Sequence, residues 1–300
     1  MPASTTPPPR ERPIMTAALS VEQQAQQYAL GHLTIIDTPT PELVRIAART
    51  GYDYVSPRLI CDGLPGTDHS LARNPALLHA TREALAETGL PVHDIELARI
   101  ADDVDPDSYE AELAIGAAIG AGHLLSSIWS SDHGYSVDAF GRLCRLAAQY
   151  GLTVNLEWLA LAAVTTMADA VAVLREVDEP NARLMIDLHH FHRSHERVSD
   201  LAELPSEWFE FVQICDAPGP IPAERDEMAR IIREGRSYLG EGGIDPAAVL
   251  RALPPTVYSI EIPSATDVAR LGAEGHARRC LETSRAYFAR TGVTEREAIR

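Results

Sequence analysis

The four cysteines, Cys61, Cys144, Cys215 and Cys280, are scattered, and no two of them form a CxxC pair. Such spacing offers neither a zinc knuckle nor a disulfide frame, and reads as reduced, mostly packed thiols. Positive charge is scarce: 26 Lys and Arg face 43 Asp and Glu, for a net charge of −17. That balance argues against a nucleic-acid partner and fits a solvated cytoplasmic protein. No apolar run approaches the ~20 residues of a membrane span, so no membrane partner is expected. The opening MPASTTPPPRERPI lacks the apolar segment of a signal peptide. Its composition predicts a disordered tail over residues 1–15, leaving 16–300 as the folded unit. Aromatics make up only 6% of the chain within an ordinary apolar fraction of 45%. A chain of 300 residues nevertheless buries ~75% of its unfolded surface, so it needs no covalent or metal staple to fold.

From residue 31 onward, short apolar runs alternate with helical periodicity. LTIID is the first expected strand; Thr40 then caps a helix with Pro41 at its first position, running to Ala48. YDYVSPRL, PVHDIEL and HLLSSIW read as strands two to four, and LTVNLEW, ARLMIDL, FEFVQICD and TVYSIEI as strands five to eight. NPALLHATREALAETG is a helix closed by Gly89, and Asp105 and Asp107 open the next, through AELAIGAAIGAG. SVDAFGRLCRLAAQYG, TTMADAVAVLREV, a shorter piece near VSDLAEL, AERDEMARIIREG, DPAAVLRAL and a long last helix complete the alternation. Eight β/α units without a linker match a single (β/α)8 barrel. A doubly wound sheet would gather ligands at one switch point, and no GxGxxG follows strand one.

Four polar residues end the last four strands: Glu157, Asp187, Gln213 and Glu261. Buried apolar strands do not normally carry carboxylates at their ends unless something pairs with the charge. In a barrel the C-terminal strand ends share one mouth, so three acids and an amide can converge there as a hard, oxygen-rich pocket for a divalent metal. Any one of them alone is more simply a helix cap or a surface acid.

The Glu157 strand, the run Asp187, Leu188, His189, His190, the run Gln213 to Asp216, and the strand Ser259, Ile260, Glu261 together resemble the xylose isomerase-like TIM barrel superfamily. That group includes sugar isomerases, ketose 3-epimerases, inosose dehydratases, 3-dehydroshikimate dehydratases and endonuclease IV. The resemblance implies Glu157, Asp187, Gln213 and Glu261 as ligands of one divalent ion, Mn²⁺ or Mg²⁺, with Co²⁺ also accepted. It further implies His190 as a hydrogen-bond donor or proton shuttle over the substrate. Gln213 departs from the histidine usual in the epimerase branch. Its harder amide oxygen favours Mg²⁺ or Mn²⁺ over Zn²⁺ and keeps a lyase reading close behind an isomerase.

Arg58, Arg193 and Arg236 are candidate clamps for a substrate carboxylate or phosphate, each with a surface ion pair as the plainer alternative. Glu96, ending strand three, is a candidate for binding a substrate hydroxyl, and Asp216 joins the substrate-binding set. His189, His192 and His195 read as structural or exposed; Trp129 and Trp158 are either a wall against a sugar ring or barrel packing. Gly240, Gly242 and Gly243 mark a tight turn, and a phosphate cradle is weak there because no lysine accompanies it.

The expected activity is that of an isomerase or epimerase acting on a small polyhydroxylated α-hydroxy-carbonyl compound. Glu157 or Glu261 takes the α-proton and a metal-stabilised enediolate forms. Loss of a β-hydroxyl from the same intermediate makes the protein a lyase instead. An endonuclease IV-like phosphodiesterase needs three zinc ions, and strands two to four offer few histidines at their ends: His69 lies beyond strand two and His93 inside strand three. A non-catalytic sugar-binding barrel is disfavoured because all four strand-end positions hold competent donors. A homodimer is possible.

Overall fold

The structure, a computed structural model, describes residues 26–61 and 68–293. The expected N-terminal tail and the start of the folded unit near residue 16 lie outside the described residues. Among the described residues nine strands form two parallel sheets: β1 (Gln27–Gly31), β2 (Tyr54–Ser56), β7 (Ile186–Asp187), β8 (Phe211–Ile214) and β9 (Val257–Ile260) in the order β2-β1-β9-β8-β7, and β3 (Asp94–Ile100), β4 (His123–Ile128), β5 (Thr153–Glu157) and β6 (Ala182–Leu184) in chain order. Isolated bridges Val55–Val92 and Arg58–Glu96 join β2 to β3. On the other side β6 and β7 are one stave broken at Met185, so eight staves close into a single α/β barrel.

The break at Met185 has a local cause. β6 pairs with β5, whereas β7 pairs with β8, so the twisted stave changes neighbours midway. Met185 itself packs inside the barrel with Leu125 and Phe211.

Strand one lies upstream of its expected place. LTIID is apolar because it is buried at the rim, where His32–Ile35 forms a 3-10 turn. Thr34 Oγ1 donates to the Ile260 carbonyl at 2.9 Å and accepts the Ile262 amide at 3.0 Å. Those tertiary bonds take residues 32–37 out of the ladder. Just before them, a Cβ on Gly31 would sit 2.9 Å from the Ile260 carbonyl oxygen, so only glycine lets β1 approach β9 there. Strand three is also shifted, ending at Ile100 rather than Leu97.

The helices are α1 (Thr40–Thr50), α2 (Pro75–Thr88), α3 (Glu110–Ala118), α4 (His133–Ala148), α5 (Met167–Val177), α6 (Leu188–Arg193), α7 (Val198–Leu201), α8 (Arg225–Glu234), α9 (Pro246–Ala252) and α10 (Ala265–Thr291). Thr40 is not the cap of α1. The chain enters at Pro39, whose carbonyl takes the first helical amides, and Thr40 Oγ1 is buried without a partner among the described residues. Gly51 and Gly89 close α1 and α2 in the left-handed region. Asp105 and Asp107 lead first into a 3-10 turn at Pro106–Tyr109, then into α3. Most of the core lies between staves and helices, where Leu30, Leu43, Phe140, Leu156 and Phe288 are fully buried. Apart from that core, Leu125, Met185 and Phe211 form a second small cluster, with Leu97 and Val257 packed against it. No helix among the described residues is long and apolar enough to cross a membrane.

Candidate metal centre

Parallel strands deliver their last residues to one rim, and that rim is where the strand-end acids meet. Glu157 ends β5, Asp187 ends β7, Gln213 lies within β8, and Glu261 follows β9; all four are buried. Glu157, Asp187 and His190 each present a ligand atom within 4.8 Å of the others. His190 Nε2 is 3.8 Å from Glu157 Oε1. Asp187 is also the N-cap of α6, where its Oδ1 accepts the amides of His189 and His190 at 2.6 and 3.3 Å. Capping therefore aims the carboxylate and carries His190 back over the mouth from the same short helix.

Among the described residues Arg236 is the cation in direct contact with the acids of this cluster. Its Nη1 lies 2.5 Å from Asp187 Oδ2 and 3.1 Å from Glu261 Oε2, and it donates to the Glu261 carbonyl at 3.3 Å. It is carried there by the segment 217–243. Antiparallel bridges Asp216–Ser237 and Gly235–Ser264 flank it, and the segment closes where a Cβ on Gly243 would sit 2.6 Å from the Gly219 nitrogen.

The charges are unevenly matched. Burial, then the charges of Asp187 and Glu261, pushes the Glu157 carboxyl well above the ordinary carboxylate range. Burial also pushes Glu261 up to about 8, with Glu96 and Asp187 adding to it against the pull of Arg236. Burial opposes the charge of Asp187 too, but Arg236 and His190 outweigh it and hold that carboxyl low. Burial lowers His190 to about 4, keeping the ring neutral and able to ligate near neutral pH. Gln213 donates weakly to Glu261 Oε1 at 3.5 Å and leaves its own amide oxygen buried without a partner among the described residues. Surplus carboxylate, a neutral imidazole and an orphaned amide oxygen are the donor set that a divalent cation satisfies.

The sequence profile of the xylose isomerase-like TIM barrel family matches residues 44–284. The chain belongs to that family. A comparison with curated protein sequences finds no match. Among solved structures, this family member resembles the IOLI protein with a bound zinc atom at 19% identity and a TM-score of 0.74, over 89% of this chain and 99% of that one. D-allulose 3-epimerase from Methylomonas sp., in complex with D-allulose, matches at 18% identity and 0.62, over 87% and 97%. The probable 3-DHS dehydratase AsbF from Bacillus anthracis matches at 16% and 0.67, over 86% and 99%. At identities this low the likeness is one of fold.

The remaining expected residues fall into two groups. Arg58 and Glu96 meet at the mouth in an ion pair of 2.8 Å. Asp216 and the terminal nitrogens of Arg193, by contrast, bond to the chain itself, while Arg193 Nε is buried without a partner among the described residues. Arg193 Nη2 donates to the Pro218 carbonyl and its Nη1 lies 2.7 Å from His192 Nδ1. Asp216 accepts the amides of Ala217, Gly240 and Ile244, which fixes the glycine turn. Trp158 is buried against Phe191, while Trp129 carries Arg99 over its ring at 4.3 Å and donates to Ser127. His189 is fully buried, His192 half-buried and His195 exposed. Sequence reading missed His32, which is buried and accepts the Arg58 amide on Nδ1 at 3.0 Å. Its place just after strand one was the available signal, obscured by the misplaced strand.

Proposed function

We propose that the protein is a divalent-metal-dependent isomerase or epimerase of a polyhydroxylated α-hydroxy-carbonyl compound. One observation carries the reading: buried glutamates from two different staves, Glu157 and Glu261, reach the same mouth as Asp187, Gln213 and His190. Two carboxylates reaching one mouth from different staves can remove a carbon-bound proton and return one from another side. Glu157, Asp187, Gln213 and Glu261 would hold the ion, with His190 beside them. The amide oxygen of Gln213 favours Mg²⁺ or Mn²⁺ over zinc. A bound divalent ion supplies Lewis acidity at a carbonyl oxygen and a template for the adjacent hydroxyl.

The chain's own residues do the rest. Glu157 or Glu261 removes the proton next to the carbonyl, and the other carboxyl returns one from its own side, which inverts the carbon. Return to the neighbouring carbon interchanges aldose and ketose. Arg236 keeps Asp187 ionised throughout, and neutral His190 donates to a substrate oxygen. Dehydration is the second reading, favoured by Gln213 in place of histidine; loss of a β-hydroxyl would follow the same proton removal.

The test is metal analysis of the purified protein, then solvent ²H exchange into candidate ketoses after chelation and after Mn²⁺ or Mg²⁺ add-back. Exchange that requires the ion is expected. Ion-independent exchange, or a protein that takes up no ion, sinks the reading. Growth of ultraviolet absorbance on 3-dehydroshikimate would move the assignment to the lyase.

A further inference from the structure

Arg58 follows β2 and Glu96 lies in β3, and their backbones pair as an isolated parallel bridge. The amides of Leu59 and Ile60 both donate to the Glu96 carbonyl, at 2.9 and 3.0 Å. Arg58's own amide is tied to His32, whose Nε2 is in turn 2.8 Å from the Thr38 carbonyl. Both side chains thus leave from fixed backbone. Their ion pair is nearly dry, with side-chain exposures of 13% and 1%. Each partner keeps one buried polar atom without a partner among the described residues: Glu96 Oε1 and Arg58 Nε. Glu261 is near enough for its charge to act on both. Beside a proton-moving carboxylate there is therefore one spare acceptor and one spare donor, on a pair whose net charge is zero.

We infer that the Arg58–Glu96 pair is the specificity element of this site, reading a hydroxyl of an uncharged polyhydroxylated substrate and rejecting counterparts that carry a carboxylate or phosphate. An arginine with no carboxylate partner would do the opposite, because its planar fork matches an oxyanion. Here Glu96 already meets that charge. An incoming anion would face Glu96 and Glu261 with only one shared guanidinium, and burying an uncompensated charge is costly. The neighbouring cations have their terminal nitrogens engaged, Arg236 by Asp187 and Glu261 and Arg193 by the Pro218 carbonyl and His192, and each keeps only a buried Nε without a partner among the described residues. The chain contains no lysine to add to them. A hydroxyl, donor and acceptor at once, satisfies both spare atoms with no added charge. The inference rests on the isomerase or epimerase reading for where the substrate's carbonyl sits, and within it separates polyols from acids.

Calorimetric titration with matched probes tests it: D-fructose against D-fructose 6-phosphate, and a polyhydroxylated cyclohexanone against 3-dehydroshikimate, on Mg²⁺-loaded and chelated protein. The neutral member of each pair should bind about tenfold tighter or better. Glu96→Gln keeps the shape but frees the guanidinium, so affinity for the acid member should rise about tenfold while the neutral member weakens. Adding Arg58→Gln should abolish that gain, with circular dichroism confirming that both variants fold. A wild type that prefers an acid member, or binds no neutral member, overturns the inference. So does a Glu96→Gln variant that shifts both members alike. Failure of the isomerase reading shows separately, as absent ion uptake or absent ²H exchange, while the neutral-to-acid ratio is read with and without the ion.

Discussion

The two ends of this barrel both carry buried acids and histidines, yet they treat charge in opposite ways. At the N-terminal end, Glu210 lies 2.8 Å from His123 Nδ1, accepts from Thr153, and lies 3.2 Å from Arg183 Nε. Burial disfavours its charge, but the hydrogen bonds from His123 and Thr153 win and hold the carboxyl down to about 2. Asp94 Oδ1, at the start of β3, takes both His93 and Ser56, and its Oδ2 is buried without a partner among the described residues. At the mouth, Arg236 is shared between two acids, and among the described residues Glu157 forms no ion pair with an arginine, its partner being the neutral imidazole of His190 at 3.8 Å. Around Glu210 the floor is a network whose partners hold the carboxylate ionised. The mouth is under-compensated, and a group that burial and like charges perturb in this way marks chemistry more often than structure. Type and number of polar residues do not separate the two ends; the match of partners does.

The sharpest way to break that contrast is Glu157→Gln. Loss of about 10³-fold or more in metal-dependent ²H exchange is expected, together with a melting temperature that does not fall, since the change removes an uncompensated carboxyl. A variant that unfolds while the remaining folded fraction stays active would make Glu157 structural.

Arg236→Gln should act the other way, through stability. It leaves Asp187 and Glu261 buried without their cation, a loss of about 3–5 kcal/mol in the metal-free protein. Part of this should return on adding Mn²⁺, because a ligand that binds only the folded state stabilises it. Urea denaturation with and without the ion measures both.

The two ends also predict opposite pH limbs for the metal-free protein. Glu261 has a folded value raised from 4.5 to about 8, so its contribution is present below about 4.5 and is lost as pH rises through 8. Glu210 has a folded value lowered from 4.5 to about 2, so its contribution is present above about 4.5 and is lost as pH falls through 2. Divalent metal should flatten the alkaline limb only. A melting profile in which metal flattens the acid limb instead reverses the assignment.

Glu210→Gln is the smallest effect: a loss of about 1–2 kcal/mol from a partly buried network, with exchange activity unchanged. Reduced activity at full folding would mean that the floor takes part in the chemistry after all.

Much of this was legible in the chain. Alternating apolar runs and helices located the barrel, and the positions of Glu157, Asp187, Gln213 and Glu261 at the ends of the last four staves located the mouth. Less legible was strand one, where LTIID has the apolar character of a stave but is held at the rim by Thr34 bonding to Ile260 and Ile262. Arg236 was visible as a clamp for an outside anion. Nothing local could show that its segment folds back so that its partners are Asp187 and Glu261.

The sequence by itself determined which staves end in acids, because periodicity and strand-end position are local properties of the chain. Tertiary structure alone decided which charges are met. Ion pairs such as Arg58 with Glu96 and Arg236 with Asp187 join residues from different staves and loops. Their energies depend on separations and burial that exist only once the barrel has closed.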